Sequence, residues 1–302
     1  MQYKRPKKPI NGILLLDKPL GFSSNQALQK VKWLLQAAKA GHTGTLDPLA
    51  TGLLPLCFGE ATKFAHYLTD ADKTYIATLK LGATTTTGDA EGEVVISRPV
   101  HVTQQQFAHA CASFVGEISQ TPPMYSALKH EGKALYEYAR AGIEIERKSR
   151  LVTIRQIDVN AFDGAVATIT VSCTKGTYIR TLAEDIGELL ACGAHLIGLR
   201  RTATANYLIS QTVTLAQFES MTEEERLAAL APPDSAVLDL PEITIDNDSV
   251  FYLLQGQPVW LSGHASNGLL RIYDEAHRFL GLGEQQADGK IAPKRLMQQV
   301  NN

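Results

Sequence analysis

The 302-residue sequence contains no C-x-x-C pair; its four cysteines, Cys57, Cys111, Cys173 and Cys192, are spaced 54, 62 and 19 residues apart. Such spacing offers neither a disulfide framework nor a zinc cage, and reads as reduced core thiols in a cytoplasmic protein. Long apolar runs are missing as well: none approaches the ~18–20 residues that span a bilayer. The start, MQYKRPKKP, leads only into the short run ILLL before Asp17, so neither a membrane anchor nor a signal peptide is expected. Low-complexity tracts are absent. With 44% hydrophobic and 20% charged residues the composition is that of a folded chain, which excludes a disordered or fibrous protein.

A strong excess of one charge is also lacking, the net being −2, yet the charge is unevenly spread. Residues 219–248 hold nine acids and one base, a net of −8, so the rest of the chain sums to +6. A moderately basic body is compatible with a nucleic-acid partner, though charge alone says little about fold. The length suits two unequal domains.

Lys4, Arg5, Lys7 and Lys8 form a basic arm, interrupted by Pro6 and Pro9, that is expected to be extended, its plainer reading being a solvated tail. Ile13 to Leu16 reads as a strand. Ser23 or Ser24 caps a helix that carries Ala27, Leu28, Val31, Leu34 and Leu35 at helical spacing. The segment GHTGTLDPLATGLLPLCFGEATK has too many breakers for a helix and is too apolar for a solvated loop, so it is expected to be ordered against the body. Alternation at 74–79 predicts a strand, followed by a loop rich in Thr, Gly, Asp and Glu as far as Glu93. Two alternating strands near 152–162 and 165–174 precede a helix with Ile179, Leu182, Ala183, Ile186 and Leu189 on one face. Between them and Pro122-Pro123 lies a stretch from Met124 to Arg155 with seven bases, four acids and three tyrosines. Strands and helices that do not alternate strictly argue for an α+β fold. A boundary is placed in the acidic, proline-bearing stretch that ends at Asp246, and short strands beyond it suggest a small β module.

Several chemistries fail on their own requirements. GHTGTLDP lacks the Gly-Lys-Ser/Thr ending of a phosphate loop. Ser126-Ala-Leu-Lys129 has the S-x-x-K form of serine acylases without their companion elements. Cys192-x-x-His195 needs a further pair to hold a metal, so no metal site is expected. Asp47 has two readings. As part of Asp-Pro it is a turn or cap residue; as an isolated carboxylate among small and apolar residues it is a nucleophile or base that needs a distant cation to stay ionised. Arg180, at the start of the helix in KGTYIRTLAEDIG, is a possible partner.

Four motifs together resemble the bacterial TruB family of tRNA pseudouridine synthases: Asn11-Gly-Ile-Leu-Leu-Leu-Asp-Lys-Pro19, Gly41-His-Thr-Gly-Thr-Leu-Asp-Pro-Leu-Ala-Thr-Gly-Leu-Leu54, Lys175-Gly-Thr-Tyr-Ile-Arg-Thr-Leu182 and Leu199-Arg-Arg-Thr202. Departures from the family pattern are Thr174, where a serine often stands, and Ala205-Asn206-Tyr207, in place of a glycine-aromatic ending. Neither touches the catalytic motif.

The resemblance implies a mixed, largely antiparallel catalytic sheet flanked by helices over residues 1–246, and a PUA-like RNA-binding β domain over 247–302. Phe251, Leu253 and Leu254 are the module's candidate contacts with the catalytic domain. An RNA-clamping insertion at about 121–155 is implied as well, as are catalytic roles for Asp47, Arg180 and Tyr75. His42, Tyr75, Tyr178 and Leu199 would line the target-nucleotide pocket; Lys18, with Pro19, belongs to a family motif of mainly structural role, grouped with the substrate-binding set. Lys129, Lys133, Arg147, Lys148 and Arg150 would meet RNA phosphates. The activity implied is isomerisation of one uridine, conventionally number 55, in the tRNA T-loop, without cofactor or metal. The insertion argues against a guide RNA or an obligate protein partner. A second class of function, a tRNA-binding or folding protein whose surface matters more than its chemistry, stays open at this point.

Overall fold

The computed structural model describes residues 7–260 and 268–298. Lys4 and Arg5 of the expected basic arm, and Leu261 at the end of the strand expected from Val259, lie outside the described residues. The first half of the chain runs through β1 (Gly12–Lys18), α1 (Ser24–Leu35), β2 (Ala40–His42), β3 (Ala50–Phe58), α2 (Ala65–Asp70), β4 (Lys73–Leu81), β5 (Ala83–Thr85), β6 (Val94–Ser97), α3 (Gln104–Ser113) and β7 (Gly116–Gln120). There follow β8 (Lys129–His130), β9 (Lys133–Ala134), α4 (Leu135–Arg140), β10 (Arg150–Phe162), β11 (Val166–Cys173), α5 (Ile179–Leu189), β12 (Ala194–Thr204), β13 (Tyr207–Leu208), β14 (Val213–Thr214), α6 (Leu215–Ser220) and α7 (Glu223–Ala228). The C-terminal part holds β15 (Glu242–Ile245), α8 (Asn247–Leu254), β16 (Val259–Trp260), β17 (Gly268–Asp274), β18 (Phe279–Gln285) and β19 (Lys290–Leu296).

The main sheet has the order β14-β1-β3-β12-β4-β11-β10-β7, with β2 added to β3 and β13 to β12. Only β1·β14 and β12·β3 are parallel, so the sheet is mixed and largely antiparallel as expected. One face is covered by α1, α3, α5 and α6, whose buried Leu28, Phe107, Leu182 and Phe218 join Leu54, Ala77, Leu79 and Ile169 of the strands in one core. Helix α1 begins where the sequence indicates: the Ser23 side chain accepts from Gln26 N and Gln26 returns the bond, a capping box.

The breaker-rich segment turns out to contain β3, a central strand with nearly every residue buried. Its proline is tolerated for a local reason. Pro55 O accepts from Thr43 N at 3.1 Å, so the donor-less nitrogen faces that same edge. There it lies between the residues paired with β12 (50–52) and those paired with β2 (56–58). Gly52 is required where β3 meets β12: its φ is +103°, and a Cβ there would stand 2.3 Å from Arg201 O.

Two expected boundaries move. Strand β15 pairs in parallel with β17, in a five-stranded C-terminal sheet of order β15-β17-β18-β19-β16, so that module begins before Glu242 and not at 247. The acidic proline-bearing stretch that suggested the junction extends into the first strand of the module. The excursion at 121–155 is anchored by the antiparallel pair Arg150↔Gln120, which leaves residues 121–149 outside the main sheet and returns 150–155 to β10. The C-terminal module is docked by apolar contact: Leu282 is buried in one cluster with Ile13, Phe64 and Val237, and the rings of Phe64 and Phe279 are 5.4 Å apart. Leu253 packs inside the module's own core and Phe251 is exposed, so neither makes the docking contact.

Candidate active site

The centre of the sheet puts three elements at one end. Arg201 on β12 lies opposite Tyr75 on β4, and Leu199 opposite Ala77. Leu199 is also in register with Ala50, the first residue of β3, and Ala50 N donates to Asp47 O at 3.0 Å. Thus the turn that carries Asp47 is set by the start of β3. It is fixed on its other flank by α1, where Ser24 Oγ accepts from Leu46 N at 2.8 Å and donates to Leu46 O at 3.0 Å. Arg180 comes from the first turn of α5, whose N-cap Tyr178 is held through N–H donation to Gln120 Oε1 at 3.0 Å.

Arg180 pairs with Asp47 at 3.0 Å and with Asp89 at 3.3 Å. Its guanidinium also donates to Thr87 O at 3.1 Å and to Tyr125 O at 2.6 Å. Asp89 is buried, whereas the Asp47 side chain is 40% accessible and opens into a cavity. Burial pushes the Asp47 carboxyl above its ordinary value; Arg180 opposes that shift, Asp89 adds to it and Lys18 opposes it more weakly. The pairing with Arg180 is therefore the main influence that favours the ionised form of Asp47.

Asp47 and Arg180 line a cavity of about 340 Å³ together with Tyr75, Tyr178, Leu199, Arg150, Lys73 and Arg201. Tyr75 is buried at its base, and burial raises its phenol while Arg201 works against that shift. Arg201 is fully buried and spends donors on Leu53 O at 2.7 Å and Gly44 O at 3.1 Å. Arg150 stacks on Tyr178, 5.0 Å from the ring centroid, and donates to Gly176 O. A second cavity, of about 640 Å³, shares Asp47 and Arg180 and continues past His42, Tyr125 and Tyr136.

Of the expected site residues, Asp47, Tyr75, Tyr178, Arg180 and Leu199 meet around one cavity, and Arg150, expected at the RNA backbone, joins them. His42 lines the second cavity, its Nδ1 buried without a partner and its basicity lowered by burial and by Arg201. Lys18 lines neither cavity: it is fully buried, with Nζ donating to Pro19 O at 3.1 Å and Phe22 O at 2.5 Å, and burial lowers its pKa to about 8. Lys129, Lys133 and Lys148 are exposed on the excursion. Arg147 is tied down there, donating to Ile145 O and Pro122 O and pairing with Glu144. Asp89, Gln120 and Arg201 were not foreseen as site residues. Arg201 lies inside a quoted motif, but Asp89 sits in a loop whose Thr, Gly and Asp content matches any turn. Among the described residues no group of three His, Cys, Asp or Glu could hold a metal ion, and no helix is long and apolar enough to cross a membrane. All four cysteines are free and buried.

A half-open carboxylate paired with a buried arginine, beside a cavity that a buried tyrosine also lines at the centre of a mixed sheet, is the kind of site an enzyme builds. Residues 32–179 match the TruB family pseudouridylate synthase N-terminal domain. Residues 180–238 match the tRNA pseudouridylate synthase B C-terminal domain, and 241–297 the pseudouridine synthase II TruB C-terminal domain. The chain is 61% identical to tRNA pseudouridine synthase B of Methylobacillus flagellatus over 300 residues, covering 99% of each. To the protein of that name from Chromobacterium violaceum it is 55% identical, with 96% of each covered. Among solved structures, a chain in the crystal structure of a Cbf5-Nop10-Gar1 complex superposes with a TM-score of 0.71 at 27% identity, over 95% of this chain and 84% of that one. The chain belongs to the TruB family and is a pseudouridine synthase, an isomerase.

Proposed function

We propose that the chain isomerises a single uridine in the T-loop of tRNA, the position conventionally numbered 55, to pseudouridine, with Asp47 as the reacting carboxylate. The observation that carries this reading is the Asp47–Arg180 pair at 3.0 Å beside a cavity floored by Tyr75. In the reaction the N1–C1′ bond breaks, the uracil turns, a C5–C1′ bond forms and the C5 proton is lost while N1 regains one. Atoms balance without a reagent, so neither cofactor nor metal is required. The uridine has to leave its loop to reach Asp47, at a cost of a few kcal/mol that stacking on Tyr75 offsets. Leu199 and Tyr178 enclose the base, keep water out and hold the freed uracil while it turns. Asp47 splits the rearrangement into covalent steps, and Arg180 keeps it anionic for that role.

In this reading Lys129, Lys133 and Lys148 meet T-arm phosphates and set the register, while loop shape specifies the uridine. Arg147 braces the excursion and Arg150 closes the side of the base pocket. The C-terminal module grips RNA remote from the target. The chain acts in the cytoplasm, alone, without a guide RNA. A tRNA-binding or folding role would use the same exposed lysines, and one experiment separates the two readings. Purified chain is incubated with unmodified tRNA, and pseudouridine is mapped by position. Pseudouridine at the T-loop position supports the isomerase; binding without pseudouridine at any position overturns it in favour of the second reading.

A further inference from the structure

Between β1 and α1 the chain makes a tight turn that carries two large apolar side chains in water: Leu20 is 64% exposed and Phe22 37%. The turn is pinned. Buried Lys18 holds the carbonyls of Pro19 and Phe22 at 3.1 and 2.5 Å, and Gly21 N donates to Pro48 O at 2.9 Å. Pro48 follows Asp47 directly, so the turn is fastened to the loop that carries the reacting carboxylate. The next two residues, Ser23 and Ser24, line the second cavity, which shares Asp47 and Arg180 with the base pocket. An exposed apolar pair is ordinary on a loose loop, but here a buried lysine is committed to holding the backbone beneath it.

We propose that Leu20 and Phe22 form a rigid apolar wedge that enters the substrate RNA loop and stacks against the bases left behind when the target uridine is extruded. This rests on the reading given under Proposed function. Extrusion strips neighbouring bases of a stacking partner, and an aromatic or aliphatic side chain of fixed position replaces it. The occupant is inferred to be RNA because the turn runs directly into Ser23 and Ser24, which line the cavity that Asp47 and Arg180 also line, and is bonded to Pro48 beside Asp47. A soft turn would yield to the base stack; one tied to Pro48 transmits its position to Asp47.

The test compares wild type with Leu20→Ala/Phe22→Ala on two T-stem-loops: the intact loop, and one in which the nucleotide beside the target uridine is abasic, so that little stacking has to be broken. Single-turnover pseudouridine formation is the readout. The double variant is expected to lose about tenfold in rate on the intact loop and to stay within about twofold of wild type on the abasic-flanked one. Leu20→Met/Phe22→Tyr should retain the wild-type rate on both. If the double variant melts early, Leu20→Ala alone, at the more exposed position, carries the same comparison. Equal losses on the two loops, or no loss on either, overturn the wedge while leaving the reaction intact. An inactive wild type overturns the assigned reaction and the wedge with it.

Discussion

The floor of the active site and the excursion at 121–149 use charge in opposite ways. On the floor every charge is engaged: Arg180 serves Asp47, Asp89 and two carbonyls, Arg201 binds two carbonyls, and Lys73 donates to Leu68, Thr69 and Ala71 oxygens. On the excursion, Lys129, Lys133 and Lys148 are left in water, with Lys133 resting over the Tyr138 ring at 4.7 Å. Groups that must hold one geometry through a bond rearrangement are satisfied before substrate arrives, because reorganisation at that moment would add to the barrier. In the proposed function the exposed lysines meet a phosphate backbone, and such groups are best left hydrated, ready to exchange water and counterions for RNA.

The sharpest way to break this contrast is at its centre. Asp47→Asn keeps the shape of the turn and removes the carboxylate proposed to react, so turnover should fall by about 10³-fold or more while tRNA binding stays near wild type. Filter binding beside single-turnover kinetics decides it; substantial turnover in protein free of host enzyme contradicts the assignment.

Arg180→Met should act more mildly on rate and more widely on structure. Asp47 already sits above its ordinary carboxyl value, and Arg180 is the main group that lowers it. Activity that needs the carboxylate falls as pH drops through that value, so losing Arg180 moves the acid limb to higher pH. Buried Asp89 is left without its cation as well, and a loss of about 3 kcal/mol in stability is expected. Arg180→Lys, which retains a charge, keeps the kinetic test readable; an unshifted pH profile in it and in Arg180→Met means that the pair does not control Asp47.

How far this contrast could be read in the sequence varies along the chain. The capped helix α1, the alternating strands β4, β10 and β11, and α5 were legible, because each buries one face at its own period. Strand β3 was not: buried on both faces, it has no alternation, and Pro48, Gly52 and Pro55 look like punctuation until its neighbours β1, β2 and β12 are in place. Residue types alone left Asp47 as a turn aspartate or a nucleophile with Arg180 as a possible partner, and the family motifs gave the pair its catalytic reading. Asp89 stayed hidden because its burial depends on the packing of its loop against α5.

Behind that loop, Glu184 of α5 sharpens the account of the floor. Burial, followed by Asp185, raises its carboxyl to about 7, Arg180 opposing, and it packs against Gly88 beside Asp89. A raised value means that the stabilising contribution is fully present below the ordinary glutamate range and is lost as pH rises through about 7. Glu184→Gln removes that loss, so above pH 7 the variant should be more stable than wild type by about 1 kcal/mol, and at pH 5 nearly equal to it. Melting curves at pH 5 and 8 test this; a wild type equal to the variant at pH 8 would show that Glu184 is not strained there.

On the excursion the expected effects are smaller and of another kind. Neutralising Lys129, Lys133 and Lys148 to Gln should weaken tRNA binding about tenfold and lower the salt slope by about one per lost phosphate contact, with the bound-state rate little changed. A slope equal to wild type would assign these lysines to solvent only.

The smallest expected effect concerns the C-terminal module, and it must be sought without cutting the chain. Truncation at Asp246 would leave β15 without its partner β17 and would strip Leu282 and Phe279 from the apolar cluster around Phe64. A loss of activity would then report exposed core as much as lost RNA contact. A surface change avoids this: Trp260, on the edge strand β16, is 66% exposed, with Lys290 5.6 Å from its ring centroid. Aromatic and lysine side chains of this kind add stacking and charge to an RNA contact without touching the reacting base. Trp260→Ala/Lys290→Gln is therefore expected to raise KM for whole tRNA about threefold, to leave kcat unchanged, and to leave an isolated T-stem-loop unaffected. A fall in kcat at constant KM would mean that the module supports the catalytic floor through the Phe64 cluster, and the contrast between a site that is rigid and a surface that only binds would have to include the module on the rigid side.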